Sequence, residues 1–264
     1  MRAGPRLEAL NLVEVFSSVQ GEGPYVGVPT LFVRVGGCDL RCCWCDSPQT
    51  WQPAEDCRFE LARGSGRFRS TPNPVSLEEV VAAAEALELA AHRFVSFTGG
   101  EPLLQVEALL PLAGALRQRG PRIYLETNGL AAEALERMID TCDVVCMDWK
   151  LASDVRRSGD AMHDSVEPFR DAHERFLRVA RRAPEAIVKV IVSCASRDEE
   201  LDEMAECVAK VDSATPVILQ PVTPFGPVEQ APSAERLLAL VARLSRSLAD
   251  VRLIPQTHRS LGVL

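Results

Sequence analysis

The chain has 264 residues, 47% of them hydrophobic and 25% charged, with a formal net charge of −8. That length suits one large domain or two small ones. The acidic balance argues against a general nucleic-acid-binding surface, and no apolar run is long enough for a membrane helix or a signal peptide. The expectation is a cytosolic enzyme, in which nine cysteines, an odd number, are a poor fit to a disulfide framework.

In chain order, LVEVFSSVQGEGPYVGVP (12–29) reads as a short strand and a glycine-rich loop. TLFVRV (30–35) reads as a strand that runs straight into GGCDLRCCWCDSPQTW. Residues 46–74 carry polar and turn residues where a first helix belongs, and predict an irregular excursion. SLEEVVAAAEALELAA (76–91) reads as a helix opened by a capping box of Ser76 and Glu79. Strands then alternate with helices: RFVSF (93–97) with a helix near 105–119, RIYLE (122–126) with one near 131–140, and DVVCMDW (143–149) with one near 166–182. AIVKVIV (186–192) precedes a helix near 197–210, PVILQ (216–220) one near 233–248, and a last strand VRLI (251–254) leads to PQTHRSLGVL.

Six strand–helix units in series imply parallel strands with right-handed crossovers. An open doubly wound sheet and a barrel-like sheet both satisfy that rhythm. The unusual residues favour the second: Cys38 to Cys45, TGGEP (98–102), ETNG (126–129), DWK (148–150), Ser193 and QPVTP (220–224) all lie just past strand ends. The reading is an α/β protein with a partial (β/α)6 barrel and N- and C-terminal extensions. It is taken as one domain over 1–264, with a substrate loop at 12–29, a core at 30–220 and a C-terminal helix, strand and tail at 221–264.

The cysteines are spaced Cys38-x3-Cys42-x2-Cys45, with Cys43 between the last two. A structural zinc site usually adds a second ligand pair far along the chain, and Cys142 and Cys146 are the nearest approach to one. Adjacent Cys42 and Cys43 do not easily point at one tetrahedral ion. Three thiolates on one short loop suit an iron–sulfur cube that tolerates a missing fourth cysteine. Cys57, Cys142, Cys146, Cys194 and Cys207 are scattered and read as small buried apolar residues.

Cys-x3-Cys-x2-Cys after the first barrel strand, followed by TGGEP after the second, resembles the radical S-adenosylmethionine superfamily. That resemblance implies a [4Fe-4S] cluster held by Cys38, Cys42 and Cys45, with S-adenosylmethionine chelated by the open iron and cleaved to a 5′-deoxyadenosyl radical. Cys43 is then the non-ligand and Trp44 a shield for the cluster or a contact to adenine. Gly100, Asp148, Trp149, Lys150 and Gln220 become candidates for the cofactor side.

More narrowly, SSVQGEGPYVGVPTLFVRVGGCDLRCCWCDS, with TGGEP, ETNG and the closing PQTH, is similar to the 7-carboxy-7-deazaguanine synthases. The similarity implies conversion of 6-carboxy-5,6,7,8-tetrahydropterin to 7-carboxy-7-deazaguanine with loss of ammonia, using Mg2+. A pterin edge needs paired donors and acceptors, which Val19, Gln20 and Gly21 offer; its carboxylate suits the planar fork of Arg34. Thr98 lies at the border of cofactor and substrate. By similarity Ser47 places a hydroxyl on Mg2+, a hard ion that favours oxygen. Lys189 and His258 are further pocket candidates, without an assigned role. Plainer readings stand beside these: Gln20 and Glu22 bracing a turn, Arg34 in an ion pair, Ser47 as a cap, Lys150 as a solvated charge.

The chain departs from many relatives in carrying DWKLASD where they have Ser-Pro-Lys, and in continuing past Pro255. The resemblance also implies a homodimer, a flavodoxin or ferredoxin reductant, and no direct contact with nucleic acid or membrane. Two other functions compete: a glycyl-radical activating enzyme, which shares the cysteine spacing but acts on a large protein, and a zinc-stabilised binding module.

Overall fold

The computed structural model describes residues 9–159, 169–225 and 228–263. In chain order the strands are β1 (Leu12–Val19), β2 (Pro29–Val35), β3 (Leu40–Cys42), β4 (Asp56–Glu60), β5 (Phe68–Pro72), β6 (Phe94–Gly99), β7 (Arg122–Thr127), β8 (Val144–Asp148), β9 (Val155–Arg157), β10 (Glu185–Val192), β11 (Val217–Pro221) and β12 (Val251–Leu253). The helices are α1 (Leu77–Ala86), α2 (Val106–Arg117), α3 (Ala132–Met138), α4 (Arg170–Ala180), α5 (Asp198–Asp212), α6 (Ala234–Leu244) and α7 (His258–Leu261).

Ten strands form one sheet in the order β12-β11-β10-β8-β7-β6-β2-β1-β4-β5. From β2 to β12 every pairing is parallel, and each crossover contains one of α1 to α6, as parallel neighbours require. β1 pairs antiparallel with β2 and parallel with β4, which turns back on β5. No helix among the described residues is long and apolar enough to cross a membrane.

Period-two alternation sorts the central strands into two faces. Val95, Phe97, Ile123, Leu125, Val145, Met147, Val188, Val190 and Leu219 join Leu109, Leu112, Leu135, Phe176, Met204 and Val208 of the helices in the main core. Each large side chain fully buried there contributes about 1.5–3 kcal/mol. The opposite face carries a second cluster at the strand starts: Phe94, Tyr124, Val144, Cys146, Ile187 and Ile218. Tyr25, from the loop after β1, reaches over this face; its ring meets Phe94 edge-on at 4.8 Å and its hydroxyl donates to Glu185 on β10. One loop thus reaches from β6 to β10 across this face, as the partial barrel expected from the sequence would allow. The result is a concave face with an aromatic floor.

The capping box on α1 is present: Ser76 Oγ accepts from the Glu79 amide at 3.2 Å, and the Glu79 carboxylate accepts from the Ser76 amide at 2.9 Å. The helix ends at Ala86 instead of running to 91, because Glu88 takes a left-handed conformation, φ 59°. Residues 46–74 are not irregular throughout, since DCRFE and FRSTP pair as the β4–β5 hairpin and extend the sheet. β3 and β9 form a separate antiparallel ribbon that no periodicity announced. The helix expected near 166–182 is α4; residues 166–168 lie outside those described. Cys57, Cys142, Cys146 and Cys207 are buried as expected, whereas Cys194 is exposed in the turn after β10.

Candidate active site

The loop after β2 is shaped by its backbone. Gly37 has φ 93°, a conformation that favours glycine, and its amide donates to the Thr50 carbonyl at 2.9 Å. The Cys45 amide donates to the Cys42 carbonyl at 3.2 Å. Ribbon pairing with β9 fixes the strand that carries Cys42. Beyond it, the Cys43 amide donates to the Asp154 carbonyl at 3.0 Å and its thiol lies 3.9 Å from Asp154 Oδ1. Cys43 therefore turns outward. Cys38, Cys42 and Cys45 are the cysteines that line a cleft of ≈ 430 Å³ at the strand ends, a volume in the range of small-molecule sites.

The TGGEP turn presses against that loop. A Cβ on Gly99 would stand 2.5 Å from the Val35 carbonyl oxygen, and one on Gly100 only 2.0 Å from the Gly37 oxygen. Glu101, buried, accepts from the Thr127 hydroxyl (2.7 Å) and from the Asn128 (2.7 Å) and Leu103 (3.0 Å) amides, tying β6 to β7. Burial nevertheless pushes its carboxyl up to about 7.

Along one wall, Glu126 collects three donors: Gln20 Nε2 at 2.9 Å, Ser96 Oγ at 2.6 Å and Thr98 Oγ1 at 3.2 Å. Gln20 Oε1 accepts from the Gly21 and Glu22 amides at 2.9 and 3.1 Å. Arg34 Nε donates to Glu14 at 2.9 Å, and its guanidinium lies 5.5 Å from the Phe16 ring centre.

Along the other wall runs a chain of charges. Asp148 accepts from Lys150 Nζ at 2.8 Å and lies 3.1 Å from Lys189 Nζ, which also pairs with Glu22. Burial works to raise the Asp148 carboxyl, but the two lysines outweigh it and hold the group below its usual range. Burial likewise works against the Lys150 charge, and Asp148 reverses the balance, so this lysine stays protonated. Its Nζ lies 4.8 Å from the Trp44 ring centre, a cation–π contact. Behind Lys150, buried His173 stacks on Trp149 at 4.6 Å, its Nε2 between the Asn128 carbonyl (3.2 Å) and the Lys150 amide (3.4 Å). Desolvation drops the His173 pKa to about 3.

The structure brings Val19, Gln20, Gly21, Arg34, Trp44, Ser47, Thr98, Gly100, Asp148, Lys150, Lys189, Gln220 and His258 to the cleft wall together with the three cysteines. Trp149 does not join them: its side chain belongs to the main core, on the face opposite Asp148 and Lys150. Ser47 makes no side-chain cap bond to the short helical turn that follows it; its hydroxyl donates to Asp46 at 2.9 Å. Lys150 is buried, so the solvated reading fails, whereas Arg34 both faces the cleft and forms an ion pair. Glu126, Asn128, Asp46, Gln256 and Arg259 line the cleft without having been singled out. ETNG at a strand end was the available signal for the first two.

A 7-carboxy-7-deazaguanine synthase of Geobacter sulfurreducens is 40% identical over 256 residues, 96% of this chain and 97% of that protein. One from Methanopyrus kandleri is 38% identical, covering 95% of this chain and 92% of its own length. The model of the radical SAM superfamily matches residues 32–211. The chain belongs to the 7-carboxy-7-deazaguanine synthase family of the radical SAM superfamily. The crystal structure of QueE from Escherichia coli shares the fold, with TM-score 0.58 at 24% identity and 94% of each chain covered. A structure of TYW1 with a lysine–pyruvate adduct bound follows at TM-score 0.54 and 13% identity.

The residues fit the superfamily's cluster. The free thiols of Cys38, Cys42 and Cys45 face one cleft while Cys43 is held out of it. Cys38, Cys42 and Trp44 pack on Leu40, Val155 and Phe169, a dry apolar shell. Burial pushes the Cys42 thiol up to about 12, so loading an iron cluster must displace its proton. Across the cleft, the buried side-chain oxygen of Gln220 has no hydrogen-bond partner, an acceptor that suits a ligand's donor.

Proposed function

We propose that the chain converts 6-carboxy-5,6,7,8-tetrahydropterin to 7-carboxy-7-deazaguanine with loss of ammonia, in queuosine and related deazapurine biosynthesis. The observation that carries the proposal is the pairing, in one cleft, of three inward cysteines with the Gln20–Glu126–Thr98–Arg34 wall. Cys38, Cys42 and Cys45 would hold a [4Fe-4S] cluster, which together with S-adenosylmethionine would supply one-electron radical chemistry.

The chain's own residues bind, orient and exclude water. Asp148 and Lys150 present opposite charges side by side, matched to the amino and carboxylate ends of an amino acid, and Gln220 offers its free oxygen. Gly100 brings the TGGEP backbone against the cluster loop. Glu126, already steered by Gln20, Ser96 and Thr98, accepts from the amide and amino edge of a pterin. Arg34 keeps donors beyond the Nε bonded to Glu14 and directs them at the substrate carboxylate. Ser47 and its neighbour Asp46 supply oxygens for Mg2+. The aromatic floor below them keeps bulk water from the reacting atoms. A flavodoxin or ferredoxin as electron donor and a homodimeric assembly belong to the same proposal.

The test is anaerobic reconstitution with iron and sulfide, reduction, and turnover with the carboxypterin, S-adenosylmethionine and Mg2+. The deazaguanine is expected as product with one equivalent of ammonia; because the substrate less ammonia already has the product's composition, 5′-deoxyadenosine is not expected to accumulate with turnover. A reduced, fully loaded protein that cleaves the sulfonium but leaves the pterin intact refutes the substrate.

A further inference from the structure

The C-terminal segment lies across the mouth of the cleft. The Thr257 amide and hydroxyl both donate to the Gly21 carbonyl, at 2.9 and 3.1 Å. The His258 side chain occupies the space a Cβ on Gly21 would need, 2.4 Å from Nδ1. Between these contacts and the cysteine loop stands Gln256. Its Nε2 donates to Glu22 Oε1 at 2.7 Å and to Asp46 Oδ2 at 3.0 Å, one amide nitrogen spending both hydrogens on two carboxylates. Glu22 sits two residues past Gln20, and Asp46 lies between Cys45 and Ser47.

Two carboxylates that share one nitrogen repel each other unless donors stand between and behind them. Lys189 backs Glu22, and Arg259, 3.4 Å from Asp46, backs the other. Among the described residues, the Gln256 amide is the group that touches both acids. We propose that Gln256 is a positioning residue: it ties the 20–22 loop to the turn after Cys45 and so closes the C-terminal segment over the substrate. This rests on the functional reading above for what is enclosed, though not for the closure itself.

Three full-length variants test it: Q256A, Q256E and Q256K. Q256E keeps the size of glutamine but puts a third negative charge between two acids; Q256K keeps a donor that bridges them. The first readout is hydrogen exchange of the Thr257 amide in cluster-free protein. Charge-assisted hydrogen bonds of this kind predict about ten-fold faster exchange in Q256A and faster still in Q256E, with Q256K near wild type. The second readout is turnover. KM for the carboxypterin is expected to rise about ten-fold in Q256A and Q256E with kcat changed far less, and 5′-deoxyadenosine to exceed product. A fold-wide defect would slow every protected amide and leave that ratio unchanged. Wild-type exchange and KM in Q256A and Q256E overturn the proposal, as does Q256K exchanging as fast as Q256A. If the exchange order holds and wild type makes no deazaguanine, the tether stands and the substrate assignment falls.

Discussion

Replacing Gly100 by alanine puts a methyl group where two backbones already meet. The new Cβ stands 2.0 Å from the Gly37 oxygen, 2.6 Å from its carbonyl carbon and 2.9 Å from the Thr50 oxygen. Carbon–oxygen contacts between chains settle at roughly 3.3 Å, so the TGGEP turn and the cysteine loop must part by about 1.3 Å. No rotamer change relieves the clash, because both neighbours are main chain. The Glu101 amide bond to the Gly37 carbonyl, 2.8 Å, is lost or stretched in the process. Overpacking of this kind costs about 1–3 kcal/mol, which for a chain of this size lowers Tm by about 3–10 °C. Displacement by about 1 Å of the loop that seats the cluster is expected to cut product formation about a hundredfold. Gly114 in α2 is the control, since a Cβ there meets nothing within 4 Å. Gly114→Ala should gain about 0.5–1 kcal/mol through helix propensity. Thermal unfolding of the cluster-free proteins, iron content and turnover provide the comparison. A Gly100→Ala protein with wild-type Tm and full iron content would show that the turn and the loop are not pressed together as described.

Cys38→Ala, Cys42→Ala and Cys45→Ala should each lose the cluster's electron paramagnetic resonance signal and reductive cleavage of S-adenosylmethionine, whereas Cys43→Ala keeps both; full activity in the Cys45 variant would refute the ligand set. Ser47→Ala should weaken the response to Mg2+ and leave iron content unchanged, so an identical magnesium titration would remove that role. His173 is buried neutral at a pKa near 3, below its unfolded value of 6.5. Its contribution to stability is therefore complete above pH 6.5 and lost as pH falls towards 3, at about 1.4 kcal/mol per pH unit once below 6.5. Urea midpoints of cluster-free protein between pH 7.0 and 5.5 should fall more steeply in wild type than in His173→Gln; equal slopes would mean the imidazole already titrates in the folded state.

How much of this was legible in sequence depends on how local the signal was. The Ser76 and Glu79 box, the βα rhythm and the loaded strand ends are written within a few residues of one another, and the structure repeats them. The β4–β5 hairpin was missed although DCRFE alternates charged with apolar residues as a half-buried strand does; its partner FRSTP is mostly exposed and carries no such pattern. Trp149 could have been placed by alternation alone: Asp148 and Lys150 share one face, which sends the residue between them to the other. The same rule puts Arg34 on one face with Phe32, on the cleft side, yet its ion pair with Glu14 depends on a neighbouring strand. Glu126 looked like the end of a strand. Its meaning comes from Gln20, 106 positions away, and from Ser96 and Thr98 on β6, the strand paired with its own. Cys194 follows β10 in a turn, where the preference of cysteine for burial has nothing to act on.

The ring of Tyr25 over Phe94 and Tyr124 makes the molecule a cup instead of a tube. With this floor at the strand starts, the cleft described at the opposite strand ends is where arrivals and departures meet. A spent molecule must leave before a fresh one enters, and whatever accumulates outside competes for the same threshold. Exchange at that mouth is then a step of every cycle, beside the bond-breaking beneath it.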